Sequence, residues 1–321
     1  MTIRFINGIN RATLITSLDD RRDRSMKNNP VKKNTNRNKP GKKLAIGLVI
    51  LLLIAGWLYW GNNAIETTHH TYQHEAIPDS FDGYTIVQVS DLHNKEYNGR
   101  LTSEVQEQDP DLIVVTGDQV DRNRTNIEVA VKALEELVDI APVYFVSGNH
   151  EIASQQYDTL AEELDNIGVI NLDNETAVIT ENGEELGMIG IEDPLLMLLD
   201  DVEEAGSAEL YLEGVINELI EEVNTDFVLL LSHRVELFDV YKETEVDLAL
   251  TGHAHGGQIR LPFTDGLYAP SQGFFPEVTS GVTEENGTTM IASRGLGNSI
   301  FPFRINNRPE LVVITLRSGG E

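Results

Sequence analysis

Cysteine is absent from all 321 residues. Disulfides, a thiol nucleophile and thiolate metal sites are therefore excluded, and any metal must be held by His, Asp, Glu or Asn. The absence leaves the redox compartment open. Tryptophan is scarce: its two copies, Trp57 and Trp60, fall in one apolar run. Positive charge is scarce beyond residue 60, where 12 Lys and Arg face 49 Asp and Glu, whereas residues 1–60 carry 12 against 3. With a formal net charge of −28, a basic nucleic-acid-binding face is not expected. A small phosphorylated substrate stays possible, because a bound cation reverses the sign locally. The acidic exterior suits a salty or alkaline surrounding.

Between the basic and acidic parts lies Leu44–Trp60, LAIGLVILLLIAGWLYW, without a charged residue. At 1.5 Å per residue it spans roughly 26 Å, enough for a thinner bilayer. Lys39, Lys42 and Lys43 precede it, and Trp57, Tyr59 and Trp60 mark the opposite interface. A buried core helix would not need this basic flank and these terminal aromatics. A cleaved signal peptide would need a shorter leading region and a small-x-small site before Gly61. The pattern predicts an uncleaved single-pass anchor at 44–60, with the N-terminus cytoplasmic and the large domain outside the membrane. Residues 1–43 form a basic, largely disordered tail, and Phe5–Leu18 carries a few apolar residues that suit a membrane surface. Residues 61–80 are expected to be a tether, with His69, His70 and His74 as solvated linker residues rather than ligands. The large domain is expected at 81–321.

In that domain, short apolar runs recur and each ends in polar residues. Thr85–Ser90 delivers Asp91-Leu-His93, where a carboxylate and an imidazole two residues apart share one side of an extended chain. Leu112–Val115 leads to Gly117-Asp118, with Asp121 three residues on. Val143–Val146 leads to Gly148-Asn149-His150-Glu151. Phe227–Leu231 leads to Ser232-His233, and Val246–Leu250 to Gly252-His253-Ala-His255-Gly256-Gly257. Helical patterns separate them at Leu101–Gln108, Asn126–Leu137 and Tyr157–Ile167, so the units read as βαβ and the sheet as largely parallel. Ala177–Thr180 and Glu185–Ile191 flank Asn182-Gly183 as a hairpin. Glu192-Asp193-Pro194 reads as a surface turn. Leu195–Glu222 is helical, with an acidic break at Asp200–Glu204. Met290–Ser293 and Glu310–Leu316 close the domain as strands. Arg260, Arg294, Arg304 and Arg308 stand out near the end, either facing an anionic substrate or closing salt bridges.

A lone Gly-Asp on a strand end is common in surface loops. Five histidines beyond the linker, His93, His150, His233, His253 and His255, each following an apolar strand-like run, are not. Loops at the carboxyl ends of parallel strands converge, and that is where open α/β sheets place their chemistry. The five histidines therefore predict one metal cluster.

The order Asp-x-His, Gly-Asp-x-x-Asp, Gly-Asn-His-Glu, His, Gly-His-x-His resembles the calcineurin-like metallophosphoesterases over Thr85–Gly257. The anchored architecture and Ala-Ser-Arg-Gly-Leu-Gly297 look like the bacterial membrane-associated phosphodiesterase or phosphohydrolase branch. The resemblance implies an α/β fold, a four-layer α/β/β/α sandwich behind a single N-terminal transmembrane helix. It also implies two metal ions, one taking Asp91, His93 and His255 and the other Asn149, His233 and His253, with Asp118 bridging. Mixed oxygen and nitrogen ligands suit Mn, Fe, Zn or Co better than calcium. The implied reaction is phosphodiester or phosphomonoester hydrolysis by a metal-bridging hydroxide. His150 would not be a ligand; it would stabilise transition-state charge or protonate the leaving oxygen. Asp121 would orient or charge-stabilise His150, its plainer alternative being a turn residue or helix cap. Two other readings stay open: a lipid pyrophosphate or phospholipid-headgroup hydrolase, and an inert metal-binding envelope module. A non-ligand proton donor such as His150 would be superfluous in the last.

Overall fold

The computed structural model describes residues 40–196, 199–261, 266–298 and 301–319. The expected basic tail lies outside them as far as residue 39. In chain order, helix α1 (Pro40–Asn63) is followed after two residues by strand β1 (Glu66–His74), then β2 (Thr85–Val89), α2 (Arg100–Gln106), β3 (Leu112–Thr116), α3 (Ile127–Val138) and β4 (Val143–Val146). Next come α4 (Asn149–Ala153), α5 (Tyr157–Asn166), β5 (Ile170–Asn171), β6 (Glu175–Glu181), β7 (Glu184–Gly190), α6 (Leu199–Ala205) and α7 (Ala208–Val223). The chain continues through β8 (Val228–Arg234), α8 (Phe238–Tyr241), β9 (Leu248–Gly252), a ribbon β10 (Tyr268–Ala269) and β11 (Gly273–Phe274), β12 (Gly281–Glu285), β13 (Thr288–Ala292) and β14 (Glu310–Ser318).

Two six-stranded sheets form, in the orders β1-β14-β2-β3-β4-β5 and β12-β13-β9-β8-β7-β6. The strands β2, β3 and β4 run parallel, as do β7, β8, β9 and β13. Side chains alternate across each strand, and the alternation divides the core into three. Ile86, Leu112, Val114, Val312 and Ile314 of the first sheet meet Met188, Leu229, Leu231 and Leu250 of the second. Their strand neighbours Val87, Ile113, Val115, Phe145 and Val313 pack under Leu101, Leu134 and Leu160 of the helices. On the far side, Ile189, Leu230, Ala249 and Met290 pack under Leu212 and Ile216 of α7. The result is the four-layer α/β/β/α sandwich.

Helix α1 is long and apolar enough to cross a membrane. Proline opens it, where a missing N–H costs nothing. Asn62 and Asn63 end it, their side-chain amides donating to the carbonyls of Leu58 at 2.7 Å and Tyr59 at 2.8 Å. Leu44 through Ile54 lie on the surface, as a span facing lipid must.

Three expectations need correction. Residues 61–80 are not a tether: β1 occupies nine of them and pairs in parallel with β14, Glu66 opposite Glu310 through His74 opposite Ser318. A neighbouring strand satisfies its backbone, so the segment needs little apolar content of its own. Within the Leu195–Glu222 region, Asp200–Glu204 is helical, and the break falls instead between α6 and α7, at Gly206 and Ser207. There Ser207 caps α7 by accepting from Leu210 N–H at 3.2 Å. Asp193 is no surface turn. It is buried and receives Arg234 at 2.6 and 2.9 Å.

Candidate metal centre

The carboxyl ends of β2, β3, β4, β8 and β9, with the segments that follow them, meet in one place. Seven of the residues read from the sequence line it: Asp91, His93, Asp118, Asn149, His233, His253 and His255, all buried. Their ligand atoms form two overlapping groups. Asp91, His93, Asp118 and His255 lie within 4.8 Å of one another, and so do Asp118, His233 and His253. Asn149 Oδ1 joins the second group, 3.3 Å from His233 Nε2.

Asp118 belongs to both groups through one oxygen. Its Oδ2 stands 3.5 Å from His93 Nε2 and 3.3 Å from His233 Nε2. Its Oδ1 faces away and accepts the His150 backbone N–H at 2.8 Å. Within the groups, His93 Nε2 and His255 Nε2 are 3.0 Å apart, as are His253 Nδ1 and His233 Nε2. Nitrogens this close can reach a common ion at the usual metal–nitrogen distance of about 2.1 Å. The spacing and the mixed oxygen and nitrogen donors fit transition-metal ions.

The backbone is bent to achieve this. Asp91, His93, Asp118, His253 and His255 all have φ between 48° and 68°. Such left-handed residues cost roughly 1–3 kcal/mol each and persist at sites that need them. Two glycines make the fit possible. A Cβ on Gly148 would collide with Asp118 Oδ1, and one on Gly117 would lie 2.7 Å from Gly148 Cα. The surrounding structure holds the strained loops. Leu296 N–H donates to Ser90 O at 3.0 Å and Gly297 N–H to Asp91 O at 2.5 Å. The Ala-Ser-Arg-Gly-Leu-Gly297 stretch is thus the buttress behind Asp91.

Glu151 is the residue whose role the sequence does not reveal. Its buried carboxylate accepts four backbone N–H groups: Asp118 at 2.7 Å, Gln119 at 2.6 Å, Val120 at 3.1 Å and Gly148 at 2.8 Å. Burial and the Asp118 charge push its pKa up to about 8, and the N–H groups pull against them. Each oxygen already accepts twice, which suits the carboxylate form. Glu151 holds the Asp118 loop and the β4 loop in one frame.

Charge within the centre favours cations. Burial holds the imidazoles of His253 and His255 well below their ordinary pKa and lowers His93 to about 4. Neutral rings offer the lone pairs that a metal needs. His233 runs the other way, to about 10, because Asp118 and Asp91 outweigh its burial. Its Nδ1–H donates to the Thr116 carbonyl at 2.8 Å, leaving Nε2 turned toward Asp118.

His150 lies beside the groups, its ring centroid 4.5 Å from that of His93. Its Nδ1 accepts the Arg122 backbone N–H at 3.1 Å, so in the neutral ring the proton sits on Nε2. This alters the part expected of Asp121. The orienting bond comes from Arg122, while Asp121 Oδ1 accepts from Asn123 N–H at 2.8 Å in a turn. Asp121 acts on His150 through charge, raising a pKa that burial lowers.

A cavity of about 240 Å³ opens over the centre, lined by Asp118, Asn149, His150, Arg122 and Arg234 among others. The arginines here are not the ones the sequence singled out. Arg294 pairs with Glu310 at 2.7 Å, and Arg308 donates to the Ala64 and Ile65 carbonyls. Arg304 is buried, with its Nε donating to Gly297 O at 2.8 Å. Arg260 does not line this cavity. Arg122 directly follows Asp121 and Arg234 directly follows His233, a proximity to the motifs that would have found them.

The calcineurin-like phosphoesterase family profile matches residues 84–257. An uncharacterized metallophosphoesterase of Bacillus subtilis strain 168, YkuE, is 30% identical over 275 residues, which is 81% of this chain and 88% of YkuE. The phosphodiesterase YaeI of Escherichia coli K12 is 26% identical over 213 residues, 65% of this chain and 72% of YaeI. A transmembrane protein with metallophosphoesterase domain from Danio rerio is 26% identical over 262 residues, 76% of this chain and 55% of that one.

Proposed function

This chain belongs to the calcineurin-like phosphoesterase family and is a metal-dependent phosphoesterase, and we propose that it hydrolyses phosphodiesters or phosphomonoesters with two ions bridged by Asp118. The observation that carries the proposal is the single oxygen, Asp118 Oδ2, between two histidine groups. Asp91, His93 and His255 would hold one ion, and Asn149, His233 and His253 the other. Ions such as Mn, Fe, Zn or Co, when bound, supply Lewis acidity and an acidified water for displacement at phosphorus.

The chain's own residues do the rest. His150 presents Nε2–H to the cavity and donates to the leaving oxygen or to a charged oxygen on phosphorus. The Arg122 N–H fixes that tautomer. Arg234, held by Asp193, has a set orientation and lines the entrance. Arg122 gives the mouth positive charge in a strongly acidic protein, which draws in anions.

Metal-loaded protein is expected to release p-nitrophenol from bis-p-nitrophenyl phosphate, p-nitrophenyl phosphate or both. Inertness toward both with each of the four metals would instead favour a metal-binding module. The substrate reading extends to lipid headgroups, because the chain carries α1.

The same helix motivates the proposed location: a single pass through the cell membrane, N-terminus cytoplasmic, catalytic domain outside. Lys39, Lys42 and Lys43 before the apolar run set that orientation. Protease added to intact cells should remove residues 81–321 and spare a tag at Met1. Full protection of the domain, with envelope permeability controlled, would reverse the assignment.

A further inference from the structure

An apolar path runs from α1 to the metal centre. On the helix side, Ala55, Leu58 and Tyr59 share a cavity of about 400 Å³ with Pro302 and Phe303. The Phe303 ring meets Phe301 edge-on, centroids 6.2 Å apart. Phe301 then lines a second cleft of about 230 Å³ with Ile259, Leu267, Tyr268, Pro270 and Phe274. Pro270 also lines the cavity over the metal centre, next to Ser271. The helix-side cavity also carries Asn62, Asn63, Lys95 and Asn298, whereas the middle cleft is lined by apolar and aromatic side chains apart from Gln258.

The walls are built to face something apolar. The β10–β11 ribbon sets Tyr268 opposite Phe274, rings 5.3 Å apart. Phe274 and Phe275 are 71% and 70% exposed, and Phe301 and Phe303 are 43% and 49% exposed. Contiguous exposed aromatics on a soluble domain mark an interaction surface. A small polar ester has no use for them.

Resting on the phosphoesterase reading, we infer that the substrate is a membrane lipid with a phosphoester headgroup. One acyl chain lies in the cleft between Phe274 and Phe301, and the phosphate reaches the metal centre past Pro270. The occupant is a lipid of the bilayer that α1 crosses, because the path begins on the flank of that helix. The middle cleft has aromatic and no basic residues, with Lys95 beyond one end and Arg122 and Arg234 beyond the other, so the tail is recognised in the cleft and the phosphate at the metal centre.

Two chromogenic esters test this with the full chain, metal-loaded and reconstituted in phosphatidylcholine vesicles: methyl and dodecyl p-nitrophenyl phosphate. In both, water oxygen bonds to phosphorus and the bond to p-nitrophenol breaks. The products are the alkyl phosphate, p-nitrophenolate and a proton. Only the tail differs. Each methylene removed from water is worth roughly fourfold, so three are worth about 60-fold. Wild type should therefore prefer the dodecyl ester in kcat/KM by about 30-fold or more. Phe274→Glu, on an exposed side chain, should bring the ratio to within about threefold of one, with melting temperature and metal content unchanged. The vesicles are the same for both proteins, so partitioning of the ester cancels.

A wild-type ratio near one, with the methyl ester hydrolysed, overturns the lipid assignment and leaves the phosphoesterase intact. A large ratio that survives Phe274→Glu removes the tail from this cleft. Failure to hydrolyse either ester overturns the lipid assignment, and if p-nitrophenyl phosphate is also left intact the phosphoesterase reading falls with it.

Discussion

Asp118→Asn is expected to keep the fold and lose at least about 10³-fold in turnover, together with metal. Asparagine matches aspartate in shape, and its amide oxygen can still accept the His150 N–H that Oδ1 now accepts. What disappears is the negative charge on Oδ2, the atom between His93 and His233. Both proposed ions depend on it, so elemental analysis should fall from about two per chain toward less than one. His93→Ala should mainly empty one position, because His93 belongs with Asp91 and His255 and not with the His233 and His253 group. Wild-type protein that saturates at one ion would defeat the bridged pair. Glu151→Ala is the contrast. It strands four buried N–H donors and should cost about 3–5 kcal/mol of folding stability, read as a lowered denaturation midpoint whatever the metal content. Losing metal and losing the frame that holds its ligands are then separate measurements.

His150→Ala is expected to reduce turnover by about 10²–10⁴-fold, a typical contribution of positioned proton transfer or charge stabilisation, while metal content and melting temperature hold. Its Nε2–H is the donor, since Nδ1 already accepts from Arg122. Aryl esters with increasingly acidic leaving phenols need less protonation. If His150 protonates the leaving oxygen, the variant's rate should depend more steeply on phenol pKa than the wild type's. Parallel slopes with a reduced rate would assign it charge stabilisation alone. A drop in metal or melting temperature alongside rate would make it a strut of the Gly148 loop. Wild-type turnover in the variant, with chemistry rate-limiting, would end both catalytic roles.

The centre was readable in the sequence because of where its residues must sit. Candidate site residues sit at the carboxyl ends of buried strands, so His93, His150, His233, His253 and His255 each follow an apolar run, and glycines mark the turns. The layers were readable for a similar reason, since alternation along β2 and β3 fixes which face meets which. Features that depend on distant partners were not. β1 contains ETTHHTYQH, with only Tyr72 buried; its strand character is supplied by β14, more than 230 residues on. Asp193 looks like a turn residue until Arg234, 41 residues away, is folded against it. Glu151 stood in a recognised motif, but its use as an acceptor for four N–H groups depends on two loops meeting. The four C-terminal arginines drew attention by scarcity, yet scarcity does not tell which of them is already paired.

The join between α1 and β1 determines how far the catalytic domain can search. A flexible 20-residue leash would have let it roam roughly 25 Å in any direction. Only Ala64 and Ile65 separate helix from strand, and β1 is bonded into a sheet along its whole length. With the proposed anchor in a bilayer, so short a join would leave the domain far less reach than such a leash. Its hunting ground would then be a thin layer beside the membrane, and whatever it cleaves would have to be delivered to that depth.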